Sequence, residues 1–129
     1  MKIKQVCDHT GLTARTVRFY SERGLIHPRR YVQNERNYYE YSVEDVRTLM
    51  RINALRQAEF SLEEISCMMQ NTQEARAVIA LHIQKLEAHE KRMAQLLDCM
   101  KTLSDQPNMN FETFADAMKK TEQEEGKAL

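Results

Sequence analysis

A chain of 129 residues is the length of one ordinary domain, and 42% hydrophobic with 29% charged residues is the balance of a folded protein in water. No run approaches the ~20 apolar residues of a membrane span, the opening MKIKQVCDHTGL lacks a signal-peptide core, and three scattered cysteines (Cys7, Cys67, Cys99) make neither a disulfide framework nor a paired zinc motif. A reducing, cytoplasmic location is expected.

The formal net charge of zero conceals an asymmetry: residues 1–36 hold eight Lys or Arg against three acids, whereas residues 61–129 hold eight against twelve. All five tyrosines (Tyr20, Tyr31, Tyr38, Tyr39, Tyr41) lie in or beside the basic segment. Positive charge interleaved with hydroxyls suits a phosphate backbone, although charge alone does not separate this from a solvated basic face.

In chain order, Ile3 and Val6 share a helical face that Thr10-Gly11 ends, and Thr13 is placed to cap a second helix with Leu12 and Val17 as its hydrophobic staple. Gly24 follows Arg23 where a C′ glycine belongs. Two helices around a Gly-containing turn outline a helix-turn-helix. His27-Pro28 leaves helix, and Arg29 to Tyr41 has the composition of two short strands joined by the polar turn Gln33-Asn34-Glu35-Arg36-Asn37. Such a hairpin is marginal alone and is expected to lean on the helices as a wing.

Ser42 and Asp45 open a third helix with the apolar stripe Val46, Leu49, Ile52 and Leu55. Ser61 to Glu64 is a full capping box for a fourth, flanked by Phe60 and Ile65, with Ile65, Met68 and Met69 expected to face inward. From about Gln73 to Leu103 there is no proline or glycine, and Ile79, Leu86, Met93 and Met100 recur every seven residues beside a second row of His82, His89, Leu96 and Leu103. At ~1.5 Å per residue this helix is roughly 45 Å long, more than its own head can cover, so a second copy is the natural partner. Pro107 marks a loop, Asn110 can cap a last short helix with Phe111, Phe114 and Met118 on one face, and Glu122 to Leu129 reads as a frayed polar tail. The expected layout is mainly α: a head over 1–71, a dimerisation helix over 72–104 and a C-terminal segment over 105–129.

The stretches TARTVRFYSERGLI (Thr13 to Ile26), YYEYSVEDV (Tyr38 to Val46) and LRQAEFSLEEI (Leu55 to Ile65) together resemble the MerR family of bacterial transcription regulators. The resemblance covers about residues 1–70 in motif detail. It implies a winged helix-turn-helix head whose second helix enters the major groove, with Arg15, Arg18 and Tyr20, and Thr16 beside them, meeting DNA. Arg36, Tyr38 and Tyr41 match the wing. The chain departs from the family where Asn37-Tyr38-Tyr39 replaces a frequent Gly-Tyr-Arg, which removes one guanidinium from the wing. The resemblance further implies an antiparallel coiled-coil homodimer on a palindromic promoter, distortion of double-stranded DNA to suit RNA polymerase, and an inducer pocket where the fourth helix meets the start of the long helix, facing the last segment of the partner chain. Met68, Met69, Arg76, Phe111 and Phe114 are its expected lining, a set that favours a small organic effector over a bare ion.

Competing readings are blander. Cys99 beside the seam is a packing residue, and Cys67 has a weak case for a redox role. His82 and His89 lack the further ligands of a metal site, and the methionines fall at core spacing. With three glycines there is no phosphate loop, and no nucleophile arrangement is present, so neither an enzyme nor a cofactor is expected. The competing function is an architectural or excisionase-like DNA binder without an effector, or a coiled-coil adaptor.

Overall fold

A computed structural model describes residues 1–127, which form two compact units, Met1–Ala80 and Leu81 onward. In the first unit α1 (Ile3–Thr10) and α2 (Ala14–Glu22) precede a hairpin of β1 (Arg29–Gln33) and β2 (Arg36–Glu40), then α3 (Val43–Gln57) and α4 (Leu62–Gln70). A 3-10 turn, Thr72–Glu74, leads into α5 (Ala75–Ser104), and α6 (Phe111–Lys127) follows a loop. Among the described residues, no helix is long and apolar enough to cross a membrane.

Local chemistry sets the boundaries. Thr13 Oγ1 accepts the Thr16 N–H at 3.1 Å and starts α2. Ser42 and Ser61 each accept an N–H three residues on, while Asp45 and Glu64 reach back to the serine N–H groups, so α3 and α4 both begin with capping boxes. Gly11 and Gly24 have φ of +75° and +76°, the left-handed geometry that ends α1 and α2 at low steric cost. The hairpin is antiparallel with Tyr31 opposite Tyr38 and Gln33 opposite Arg36. Its turn is therefore only Asn34-Glu35, both at positive φ, shorter than the expected five-residue connection because Gln33, Arg36 and Asn37 all pair in the ladder.

The core of the first unit gathers Val6 from α1, Val17 and Tyr20 from α2, Val46, Leu49 and Ile52 from α3, and Phe60 and Ile65 around the start of α4, with Leu25, Ile26 and Tyr41 from connections. Each such burial contributes about 1.5–3 kcal/mol, and together they hold α1 and α2 against α3 and the start of α4. Met68 packs on the edge of this core, but Met69 is exposed, a correction to its expected inward face. One residue further round, at about 100° per step, is enough to turn a side chain outward.

In the second unit, Leu96 of α5 lines a hollow with Ala115 and Met118 of α6, and Cys99 Sγ lies 3.9 Å from Thr121 Oγ1. Asn110 Oδ1 accepts the Thr113 N–H at 2.9 Å and caps α6 as expected. That helix runs to Lys127, so the segment expected to fray is helical through that residue, and the rest of the tail lies outside the described residues. Phe114 and Met118 are half-buried, whereas Phe111 is exposed.

Candidate nucleic-acid interface

The basic segment folds into two neighbouring surfaces, the outer face of α2 and the hairpin. On α2, burial of Val17 and Tyr20 fixes the inward side, and Arg15, Arg18, Phe19, Glu22 and Arg23 are left exposed on the other. Arg18 lies on the hairpin side, where it lines hollows shared with Tyr39 and Tyr41. Thr16 is half-buried, and its hydroxyl sits 2.9 Å from that of Thr13. Its first role is to complete the helix cap.

Tyr20 and Tyr41 stand differently from the sequence expectation. Only 7% of Tyr20 and 3% of Tyr41 is exposed, and both rings belong to the core, so neither lies on the open surface with the arginines. A tyrosine ring carries enough apolar surface to be drawn inward when its position falls on the buried helix face or at a staple. Burial raises the Tyr41 phenol above its ordinary value, with the nearby Arg18 charge opposing.

On the hairpin, Arg29, Arg30 and Arg36 are exposed. Tyr38 is half-buried because its ring stacks on Tyr31, with centroids 5.6 Å apart. Lys2 Nζ caps this pair at 4.3 Å from the Tyr31 centroid and lies 3.5 Å from Glu40. The Met1 amine donates to Glu40 at 2.9 Å, and this bond, with Lys2 adding to it, holds the Glu40 carboxyl below its ordinary range. These contacts bind the base of the hairpin to the start of α1, a role for Lys2 that the sequence signalled only as charge. Asn37, at the family's glycine position, accepts from Arg30 Nε at 3.3 Å and so aims one of the wing's remaining guanidinium groups.

The expected effector residues divide between the units. Met68, Met69 and Arg76 lie in the first, where Arg76 lines a hollow of about 420 Å³ with Thr72, Gln73, Ala75 and Ile79. Phe111 and Phe114 lie in the second. Among the described residues, no group of three or more His, Cys, Asp or Glu is placed to hold a metal ion.

A helix-turn-helix with a two-stranded wing and two adjoining arginine-bearing surfaces defines the class: a winged helix-turn-helix protein with the surface of a DNA binder. Residues 1–72 match the MerR HTH family regulatory proteins, and the chain belongs to that family. It is 38% identical over 64 residues to the HTH-type transcriptional regulator CueR of Salmonella typhi, a match spanning 50% of this chain and 45% of that protein. The chain thus spans about half the length of the relatives it matches there. Among solved structures, it shares its fold with the transcription regulator PbrR691 of Ralstonia metallidurans in complex with lead(II), at a TM-score of 0.71 and 22% identity over 86% of this chain and 90% of that one. The fold is also that of EcmrR in its DNA complex, at a TM-score of 0.69 and 20% identity over 79% of this chain and 37% of that one. These relatives and neighbours are regulators, not enzymes.

Proposed function

We propose that the protein is a cytoplasmic regulator that binds a palindromic promoter as a homodimer and changes transcription by distorting the DNA in response to an effector. In this reading α2 enters the major groove, the hairpin grips flanking backbone, α5 pairs antiparallel with α5 of a second copy, and RNA polymerase is the partner that senses the distortion. The observation that carries it is the pair of exposed arginine sets, Arg15 and Arg18 on α2 and Arg29, Arg30 and Arg36 on the hairpin, on a head of this family. The DNA complex of EcmrR, which shares the fold, supports it. PbrR691 binds lead(II), whereas a pocket at the junction of α4 and α5 that faces the last segment of a second copy, with Met68, Met69, Phe111 and Phe114 as candidate lining, favours a partly apolar organic effector, with Arg76 to meet a polar group.

The two arginine sets should fail differently. Arg18 on the helix can take two acceptors of a guanine edge, so Arg18→Ala should cost about 1–3 kcal/mol on the operator and relax preference at one base pair. Arg36→Ala should weaken binding alike on operator and scrambled duplex and flatten the salt dependence of log K by about one unit, because one fewer counterion is released. Titrations of both variants on both DNAs at several salt concentrations test this. Equal losses on both DNAs for Arg18→Ala would remove Arg18 from base reading.

A further inference from the structure

Phe19 is an apolar ring on the charged face of α2. It is 40% exposed, and the residues exposed with it on that helix are Arg15, Arg18, Glu22 and Arg23. The neighbouring Tyr20 went into the core; Phe19 did not. The Arg23 guanidinium carbon sits 5.1 Å from the Phe19 ring centroid, a cation–π contact that restrains the ring while leaving much of it open to solvent. Arg15 stands one turn earlier on the same strip, so the ring is bracketed by two cations able to meet phosphate or guanine.

Phenylalanine has no donor or acceptor and cannot bond a phosphate or a base edge. One group in the major groove is both apolar and specific to a base: the C5-methyl of thymine. We propose that Phe19 is a specificity-determining residue that packs on a thymine methyl in each half-site, beside the bases read by the α2 arginines. This rests on the reading of α2 as the helix that enters DNA. The ring supplies sequence preference without a hydrogen bond, and Arg23 holds it in place.

The test begins with selection of duplexes from a random pool by the full-length protein. Each thymine of the selected site is then replaced in turn by deoxyuridine, which removes only the methyl, and affinities are measured for the unmodified protein, Phe19→Ala and Phe19→Leu. At one thymine per half-site the unmodified protein should lose about fourfold, the value of one methyl-sized apolar group. The same replacement should leave Phe19→Ala unaffected and cost Phe19→Leu an intermediate amount. Thermal midpoints of the variants check that they are folded, and the leucine variant keeps the test open should the alanine variant unfold. Failure of the folded, unmodified protein to enrich any sequence would defeat the reading of the head as a specific DNA binder. Enrichment with no thymine at which deoxyuridine matters, or with Phe19→Ala losing as much as the unmodified protein, would overturn the assignment of Phe19 alone.

Discussion

Glu59 follows the last turn of α3 with φ of +71°, held there by the Glu59 N–H bonding Arg56 O and the Phe60 N–H bonding Leu55 O, each at 3.0 Å. A Cβ in that left-handed region costs about 1–2 kcal/mol, and glycine's greater freedom in the unfolded chain offsets about 0.5–1 kcal/mol of the relief. Glu59→Gly should therefore raise stability by about 0.5 kcal/mol, read as a higher midpoint in urea at unchanged slope. A lower midpoint would mean that the Glu59 side chain makes a contact worth more than the strain. The same comparison explains what was legible residue by residue. Gly11 and Gly24 announced their left-handed turns, because glycine is the residue such turns favour, whereas Glu59 and Glu35 adopt the same region with no mark in the sequence. The burial of Tyr20 and Tyr41 was not legible for a related reason: an amphipathic ring suits an exposed surface and a core slot alike until the helix face is known.

The capping boxes of α3 and α4 are written alike in sequence, and in α3 the box carboxylate also makes a contact far along the chain. Glu64 closes the box at the start of α4 by accepting the Ser61 N–H at 2.9 Å. Asp45 does the same for Ser42 at 2.9 Å, but its other oxygen accepts the His27 N–H at 3.3 Å, and the residue is buried. It thus ties the start of α3 to the connection between α2 and the hairpin, the join that sets how the wing leaves the head. Removing a buried acceptor leaves donors unmatched at about 1–3 kcal/mol, whereas loss of a cap alone costs about 0.5–2 kcal/mol. Asp45→Ala should destabilise the head more than Ser42→Ala, which removes the serine cap and leaves the His27 bond in place, and equal midpoints for the two in thermal unfolding would show that the His27 bond is of no consequence. Helix starts were legible because a cap is written in three or four adjacent residues. The second oxygen of Asp45 was not, since its partner lies 18 residues away.

On the scale of the whole molecule, the question is what covers α5. Ile79, Leu86, Met93 and Met100 are each 37–44% exposed in the single chain, an apolar row spanning roughly 32 Å at the helical rise. Leu96, from the second heptad row, is turned toward α6, so that row is partly occupied within the chain and the first is the one left open. The heptad spacing announced both rows, but which of them the chain's own last helix would use depended on packing between distant segments. The open row is symmetric about a point midway between Leu86 and Met93. Antiparallel pairing centred there sets Leu86 against the partner's Met93, whereas parallel pairing sets each residue against its own copy. Charge substitutions separate the two. Leu86→Asp alone and Met93→Lys alone should each shift the protein to monomer in light scattering, because either buries an unmatched charge at the seam. Combined in one chain, they place opposite charges together in the antiparallel dimer and like charges together in the parallel one. Recovery of dimer by the double variant, weakened by high salt, is the expected result and fixes the two heads at opposite ends of the paired helices, as half-sites about 34 Å apart require. A double variant that stays monomeric while both single variants dissociate would favour parallel pairing, and a monomeric unmodified protein would remove α5 from dimerisation.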